Sequence, residues 1–264
     1  MYAFDYVKPA SLADALAALK AEEAQPISGG QTLIPTLKQR LAMPSQLVDL
    51  TGIAELKGIA VSGDTVSIKG ATRHRDVETS AEVRRAFPAL AELAANIGDP
   101  QVRNRGTIGG SVANNDPAAC YPAACLGTGA AIATSGGEYA ADDFFQGIFT
   151  TALEEGEIVT EVRFPVPECA SYQKFEQPAS RFALVGVFVA KYPSGVRVAV
   201  TGASEDGVYR WSEAEQALSA NFSPEAVAGL SHPAEGMIGD IHGSPEYRAH
   251  LVGVMTKRAV AACA

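Results

Sequence analysis

The sequence predicts an α+β fold in two parts, joined near Pro165-Val166-Pro167. Before this proline-rich joint, strand-like and helix-like segments alternate along the chain. After it, three strand-like segments are followed by three helix-like segments, an order typical of α+β folds. The 264 residues are enough for one large domain or two modest ones, each with a buried core.

The first part opens with a helix that Ser11 can cap. Leu12, Leu16 and Leu19 recur at helical spacing, and Asp14 stands three residues after Ser11, as in a capping box. The other elements of this part follow from apolar periodicity and from turn residues. We expect strands at 26–28, 46–50, 65–69 and 157–164, and Gly63-Asp64 before the third of these indicates a hairpin turn. Helices are expected at 32–41, 80–97 (with Pro88 as a kink or a break) and 118–126.

Residues 99–116 are rich in Gly, Asn and Pro, which predicts an irregular loop with little regular structure. The second part begins with strands at 171–175, 183–191 and 195–201, and Pro193-Ser194 makes the last two a hairpin. Helices are then expected at 212–220, 224–230 and 247–262.

Charge and hydropathy exclude several classes of function. The formal net charge is -9, and an acidic surface repels a phosphate backbone, so we expect no nucleic-acid partner. No apolar run approaches the roughly 18 residues that cross a membrane. The first residues lack the basic flank and apolar stretch of a secretory signal. We therefore expect a cytoplasmic protein.

The cysteines and histidines do not indicate a metal centre. The four cysteines, Cys120, Cys125, Cys169 and Cys263, include no CxxC pair, whereas iron–sulfur and structural zinc sites need several thiolates at short spacing. We interpret them as buried small residues or inert thiols, and we expect no disulfide in a reducing compartment. The histidines are scattered, and for His74 a surface or helix-start role is favoured over catalysis.

Two glycine-rich segments are the candidate ligand site. Glycine lets the main chain approach a ligand closely, and successive N–H groups before a helix can cradle a phosphate. A Gly-Gly pair is also the usual sign of an ordinary turn, and neither segment has Rossmann or P-loop spacing. Both interpretations stay open from the residues alone. The segments are Ile27-Ser28-Gly29-Gly30-Gln31-Thr32-Leu33-Ile34 and Thr107-Ile108-Gly109-Gly110-Ser111.

Longer stretches around both segments carry a family resemblance. These are PISGGQTLIPTLKQRLAMPSQLVDL (26–50), IGDPQVRNRGTIGGSVANNDPAACYPA (97–123) and SYQKFEQPASRFALVGV (171–187). They resemble the FAD-binding medium subunits of the xanthine dehydrogenase and carbon monoxide dehydrogenase family of molybdenum hydroxylases. The resemblance covers nearly the whole chain, in order.

The resemblance implies a fold and a role. The implied fold is a two-subdomain FAD-binding domain of the PCMH or vanillyl-alcohol-oxidase type over residues 1–166, followed by a smaller α+β domain over 167–264. The implied role is an FAD-carrying electron-transfer subunit, which accepts electrons from the iron–sulfur clusters of a partner and passes them to an external acceptor. The alternative is a free-standing FAD-dependent oxidoreductase with its own substrate site.

The resemblance also implies partners that hold the other redox centres. They are a large molybdopterin-binding subunit and a small [2Fe-2S] subunit, assembled as a dimer of heterotrimers. The molybdenum cofactor and the clusters are expected on these partners rather than on this chain. The flavin does the redox chemistry, so we expect no catalytic side chain and no metal ligand here.

Cofactor-binding residues follow from the matched positions. In the family, main-chain N–H groups of both glycine segments hold the FAD pyrophosphate and ribityl chain. Lys174 matches a family lysine whose charge would stabilise reduced flavin, although a solvated strand lysine is the alternative. Phe182 stands where relatives often have Tyr beside the ring. The implied residues are Ile27, Ser28, Gly29, Gly30, Gln31, Thr32, Leu33, Ile34, Ile97, Thr107, Ile108, Gly109, Gly110, Ser111, Asp116, Ile158, Val159, Lys174 and Phe182.

The clearest departure from the family pattern is Cys120. Relatives often carry an acid or an amide there, which can bond to the ribityl chain, and a thiol is a poor hydrogen-bond partner. Two roles stay open for Asp116: it takes over part of that bonding, or it caps the following turn.

Overall fold

The computed structural model describes residues 1–263, which form strands and helices in mixed order. The strands are β1 (Asp5–Val7), β2 (Ala24–Ile27), β3 (Gln46–Asp49), β4 (Ile59–Ser62), β5 (Thr65–Lys69), β6 (Ala131–Thr134), β7 (Glu138–Ala140), β8 (Phe145–Gly147), β9 (Thr150–Thr151), β10 (Val159–Pro165), β11 (Cys169–Glu176), β12 (Ala183–Tyr192), β13 (Gly195–Ser204) and β14 (Gly207–Arg210). The helices are α1 (Leu12–Ala18), α2 (Leu33–Lys38), α3 (His74–Thr79), α4 (Ala81–Ala86), α5 (Pro88–Ala95), α6 (Pro100–Arg103), α7 (Ile108–Asn114), α8 (Cys120–Thr128), α9 (Ala141–Phe144), α10 (Ser212–Ala220) and α11 (Pro245–Ala262).

The first subdomain is a small parallel sheet in the order β1-β3-β2. The predicted cap of α1 is confirmed, since the Asp14 N–H donates to the Ser11 hydroxyl at 3.1 Å. Ala15 of α1 and Val48 of β3 lie fully buried in one core cluster. The first glycine segment is the connection between β2 and α2, so the parallel sheet fixes where it starts.

The second subdomain is a five-stranded antiparallel sheet in the order β4-β5-β10-β6-β7. The predicted hairpin at Gly63-Asp64 is confirmed as β4 and β5. Ile68 and Val162 face a core that α5, α7 and α8 complete. The second glycine segment opens α7, which packs on β10 and β5.

The prediction of an irregular loop over residues 99–116 is wrong, because this stretch contains α6 and α7. Its turn-type residues are helix caps. Asp99 caps α6 by accepting from the Val102 N–H at 2.8 Å, and Pro100 takes the first helical position. Thr107 caps α7 by accepting from the Gly110 N–H at 3.3 Å. The same residue types favour both loops and helix N-termini, and in this stretch they begin helices.

The helix predicted at 80–97 is broken rather than kinked at Pro88. Phe87 has φ -146°, and Pro88 begins α5 at its first position. Ser80 caps the preceding α4 by accepting from the Val83 N–H. The break turns α5 so that five of its residues are buried: Ala89, Leu90, Ala91, Leu93 and Ala94.

The C-terminal part is an antiparallel sheet in the order β11-β12-β13-β14. Helices α10 and α11 cover one face, where Val187 and Val252 share a core. The other face packs on α8, and Phe188 joins the core of the five-stranded sheet. Every residue of α8 is buried. The predicted helix at 224–230 is a shorter 3-10 turn, Pro224–Val227.

Candidate functional site

A cavity of about 820 Å³ lies between the subdomains and the C-terminal sheet. Its wall contains both glycine segments, the start of β10, Lys174 of β11 and the turn before β12. The volume falls in the range of roughly 300–1,000 Å³ that is typical of ligand sites. The wall combines the glycine segments with apolar side chains and a few polar or charged ones, such as His74 and Lys174.

The two glycine segments touch each other at the cavity. The Thr107 hydroxyl donates to the Ser28 hydroxyl at 3.0 Å. A side-chain carbon added to Gly29 would lie 2.2 Å from the carbonyl oxygen of Arg105 and 2.6 Å from the α-carbon of Gly106. Only glycine permits this approach, so Gly29 brings the two segments into one site.

The first segment leaves its main-chain N–H groups open. Within residues 1–263, the N–H groups of residues 29–33 donate to no protein acceptor, whereas the Ile34 N–H donates to the Gly30 carbonyl at 3.1 Å. Gly30 has φ +69°, in the left-handed region. The side-chain amide of Gln31 donates to the Gly29 carbonyl at 3.0 Å and fixes the turn. These N–H groups precede α2 and can bind an anion.

The second segment uses its N–H groups within the protein. Those of Ile108 and Gly109 donate to the carbonyls of Thr72 at 3.1 Å and Gly70 at 2.8 Å. The next two residues donate to Thr107, one to its hydroxyl at 3.3 Å and one to its carbonyl at 3.0 Å. The main-chain contacts expected of residues 108–111 are thus already occupied, which leaves the hydroxyls of this segment for a ligand.

His74 is a cavity residue that the sequence interpretation missed. It starts α3, as expected, but the surface role is wrong, because the side chain is 5% exposed. The main-chain N–H of His74 donates to the Gly106 carbonyl at 2.9 Å, and the imidazole ring packs directly on Gly106. Burial, with a smaller contribution from Arg103, lowers the His74 pKa to about 4, so the ring is neutral at pH 7. No local pattern signals this burial.

Lys174 is buried rather than solvated, since its side chain is 2% exposed. Its ammonium donates to the carbonyls of Asn96 at 2.5 Å and Arg181 at 2.8 Å. Glu176 lies 3.7 Å away on the more exposed side, and the thiol of Cys120 lies 3.8 Å away. The alternative of a solvated strand lysine is therefore wrong, and a fixed positive charge stands in the cavity wall.

Cys120 and Asp116 both line the cavity. The Cys120 side chain is buried, and burial raises the pKa of its thiol, so it stays protonated and neutral. Asp116 accepts from the Ala118 N–H at 2.8 Å, which confirms that it caps the following turn.

All but two of the predicted cofactor-binding residues line the cavity. The apolar ones, Ile97, Ile158 and Val159, form part of its wall, and Phe182 is 56% exposed at its edge. The exceptions are Ile34 and Ile108. Ile108 is fully buried in the core of the second subdomain. Ile34 packs behind the first segment, against Gly30.

Residues 1–263 contain neither a candidate membrane-spanning helix nor a candidate metal site. No helix in this range is long and apolar enough to cross a membrane. No three His, Cys, Asp or Glu side chains in it stand together as a metal site would require.

The fold and the cavity define an FAD-binding α+β flavoprotein. A family described as the FAD binding domain in molybdopterin dehydrogenase matches residues 2–167. The chain belongs to this family, and its cofactor is FAD. It is an FAD-binding subunit of the kind found in heteromeric molybdenum hydroxylases. The family identification made from the sequence is confirmed.

Relatives match over almost their full lengths. The medium chain of carbon monoxide dehydrogenase from Hydrogenophaga pseudoflava is 34% identical, covering 97% of this chain and 96% of the relative. The corresponding chain from Afipia carboxidovorans is 36% identical, covering 97% and 95%. A structure of reconstituted CO dehydrogenase from Oligotropha carboxidovorans superposes with a TM-score of 0.91 at 34% identity, covering 99% of this chain and 98% of that one.

Proposed function

We propose that this chain is the electron-transfer subunit of a molybdenum hydroxylase, which accepts electrons from the iron–sulfur clusters of a partner and passes them to an external acceptor. Family membership supports the FAD role, and the two relatives above are medium chains of carbon monoxide dehydrogenases.

The observation that carries the proposal is the junction of the two glycine segments at one cavity. The Thr107–Ser28 hydrogen bond and the close contact between Gly29 and the Arg105 carbonyl join the segments. The unpaired N–H groups of the first segment therefore lie beside the hydroxyls of the second. Such a surface suits a diphosphate, which takes many hydrogen bonds and approaches the main chain closely. The cavity continues from there to Lys174 and has room for an extended cofactor.

The residues have separate roles in this proposal. The N–H groups of residues 29–33 hold the pyrophosphate, and the hydroxyls of Thr107 and Ser111 add contacts. When bound, FAD supplies the redox chemistry. The ammonium of Lys174, held by two carbonyls, keeps a positive charge at the cavity wall. We propose cofactor contact for the residues that line the cavity, and a supporting role behind the wall for Ile34 and Ile108.

The proposed assembly has a large molybdopterin-binding subunit and a small [2Fe-2S] subunit, arranged as a dimer of heterotrimers. The medium-chain names of the relatives support partners of other sizes. We propose residues 1–166 as the FAD-binding domain and 167–264 as the C-terminal domain. The family match over residues 2–167 supports that division.

Native affinity purification with mass spectrometry and a cofactor assay tests the proposal. We expect one larger and one smaller partner subunit to co-purify, together with FAD, molybdenum and iron. Rapid mixing of the complex with its substrate should bleach cluster absorbance before flavin absorbance. A chain that purifies alone, and whose flavin a small substrate reduces directly, would instead establish the free-standing oxidoreductase.

A further inference from the structure

Two cysteines outside the cavity lie next to each other at the far end of the C-terminal sheet. Cys169 is the first residue of β11, and Cys263 follows the last residue of α11. Both are partly exposed, in contrast to the buried Cys120 and Cys125. The interpretation as buried residues is confirmed for Cys120 and Cys125, whereas Cys169 and Cys263 are not fully buried.

The strand register places Cys169 on the face that α11 covers. Residues directly opposite each other in an antiparallel pair share a face. Cys169 pairs with Lys191, and Phe175 pairs with Val185 in the same ladder. Val185 belongs to the core that α11 completes. Alternation along β11 then puts Cys169 and Phe175 on that face together.

The packing of α11 along β11 brings the two thiols together. Phe175 and Tyr247 meet edge to face, with ring centroids 6.1 Å apart, which fixes one end of the contact. From Tyr247 to Cys263 the helix advances ~24 Å. From Phe175 back to Cys169 the strand covers ~20 Å. The other end of the contact is thus the cysteine pair, because Cys169 begins the strand where Cys263 follows the end of the helix.

The surroundings of Cys169 are a second thiol and a lysine on the paired strand. Burial and the neighbouring Cys169 raise the pKa of Cys263, which stays a thiol and can donate its S–H. Lys191 lies directly opposite Cys169 on the paired strand and supplies positive charge beside the two sulfurs. Glu168 is the acidic group near Lys191, at 3.5 Å, and both side chains are more than two-fifths exposed. This is the arrangement of a reacting thiol with a resolving thiol beside it.

We propose that Cys169 and Cys263 form a reversible disulfide when a peroxide oxidises the protein. The Cys169 thiolate attacks the peroxide, so an S–O bond forms, the O–O bond breaks, and the leaving hydroxide takes a proton to become water. The Cys263 sulfur then attacks the Cys169 sulfur, so the S–S bond forms and the S–O bond breaks. The released hydroxide takes the Cys263 proton. The two thiols lose two electrons, and hydrogen peroxide is reduced to two waters.

The disulfide would act as a clasp on the C-terminal domain. It joins the first strand of the sheet to the end of the helix that covers it, so it closes a loop containing nearly all of residues 167–263. Closing so long a loop restricts the unfolded chain and stabilises the folded one. The thermal midpoint of the oxidised protein should therefore rise by several degrees.

Thiol mapping on the purified full-length protein, with any bound partners, tests the proposal. The protein is treated with hydrogen peroxide at low molar excess, the remaining thiols are alkylated, and peptides are analysed by mass spectrometry. We expect a linked peptide pair containing Cys169 and Cys263, which dithiothreitol separates, while Cys120 and Cys125 stay reduced. Separate sulfinic acids without a linked pair, or two unreacted thiols, would overturn the proposal.

Two sets of variants separate chemistry from structure. In Cys263→Ser, a sulfenic acid should accumulate at Cys169 and be trapped by dimedone, whereas Cys169→Ser should leave Cys263 unreacted. Lys191→Gln should slow linkage several-fold, and Lys191→Arg should restore the rate, because the charge and not the packing is required. Equal linkage rates in both Lys191 variants would refute the assigned role of that residue.

Discussion

The two glycine segments look alike in sequence and differ in what their N–H groups do. The first presents the N–H groups of residues 29–33 to the cavity, and the second donates those of residues 108–111 to other parts of the protein. Gly29 and Gly109 both serve close approach, one to Arg105 and one to Gly70. A glycine pair therefore indicates a close approach of the main chain to a neighbouring group. It does not indicate whether that group is a ligand or another part of the protein.

Gly29→Ala should have the largest effect, because it separates the two segments. The new carbon would overlap the Arg105 carbonyl and the Gly106 backbone, neither of which is a flexible side chain. We expect the free energy of unfolding to fall by about 3 kcal/mol and FAD binding to be lost. Denaturant unfolding and FAD titration measure both. Gly137→Ala is the matched control, since its added carbon would meet nothing within 4 Å; equal results for the two would refute the packing argument.

Acidification should loosen the second segment through His74. Its pKa is about 4 in the folded protein against 6.5 unfolded, so the unfolded chain binds the proton more tightly. The contribution of the neutral ring is complete above pH ~6.5 and is lost as the pH falls towards 4, up to about 3 kcal/mol. The difference in unfolding free energy between wild type and His74→Gln, measured from pH 7 to 4, isolates this residue from the acidic groups. A difference that does not change with pH would contradict the assignment.

Gly109→Ala and Gly30→Ala should separate folding from binding. The carbon added to Gly109 would lie 2.6 Å from the Gly70 carbonyl, so we expect a loss of about 2 kcal/mol in unfolding free energy. At Gly30 the obstacle is the flexible end of Ile34, and the left-handed φ costs about 1 kcal/mol. FAD affinity, corrected for the folded fraction, should fall more in Gly30→Ala. The opposite order in a calorimetric titration would reverse the comparison between the segments.

The smallest expected effect is at the hydrogen bond between the segments. Thr107→Val and Ser28→Ala each remove one partner of the 3.0 Å bond. A double-mutant cycle should give a coupling of about 1 kcal/mol in unfolding free energy. Additive effects would show that the two hydroxyls do not interact in solution.

Local signals in the sequence predicted the elements that depend on local interactions. Ser11 caps α1, Gly63-Asp64 forms a hairpin, and Pro88 begins a new helix. The helices within 99–116 were missed because α6 and α7 are short, and packing rather than propensity stabilises short helices.

The candidate site was predictable only in part. The resemblance identified the segments and Lys174, but the acceptors of the second segment's N–H groups, Gly70 and Thr72, lie far away in the sequence. The burial of His74 under Gly106 and the two carbonyls that hold Lys174 are likewise tertiary contacts. Periodicity reports which face of an element is apolar, and it does not report what that face meets.

The central helix α8 has a practical consequence for anyone who cuts the chain at Pro165-Val166-Pro167. That joint looks like a flexible linker, yet α8 belongs to the N-terminal fragment and is buried on the C-terminal side by β12 and β13. A fragment ending at residue 166 would expose an apolar surface that Phe188 and its neighbours normally cover. Such fragments should precipitate when produced alone, and the flavin-carrying portion can be obtained intact only together with the rest of its polypeptide.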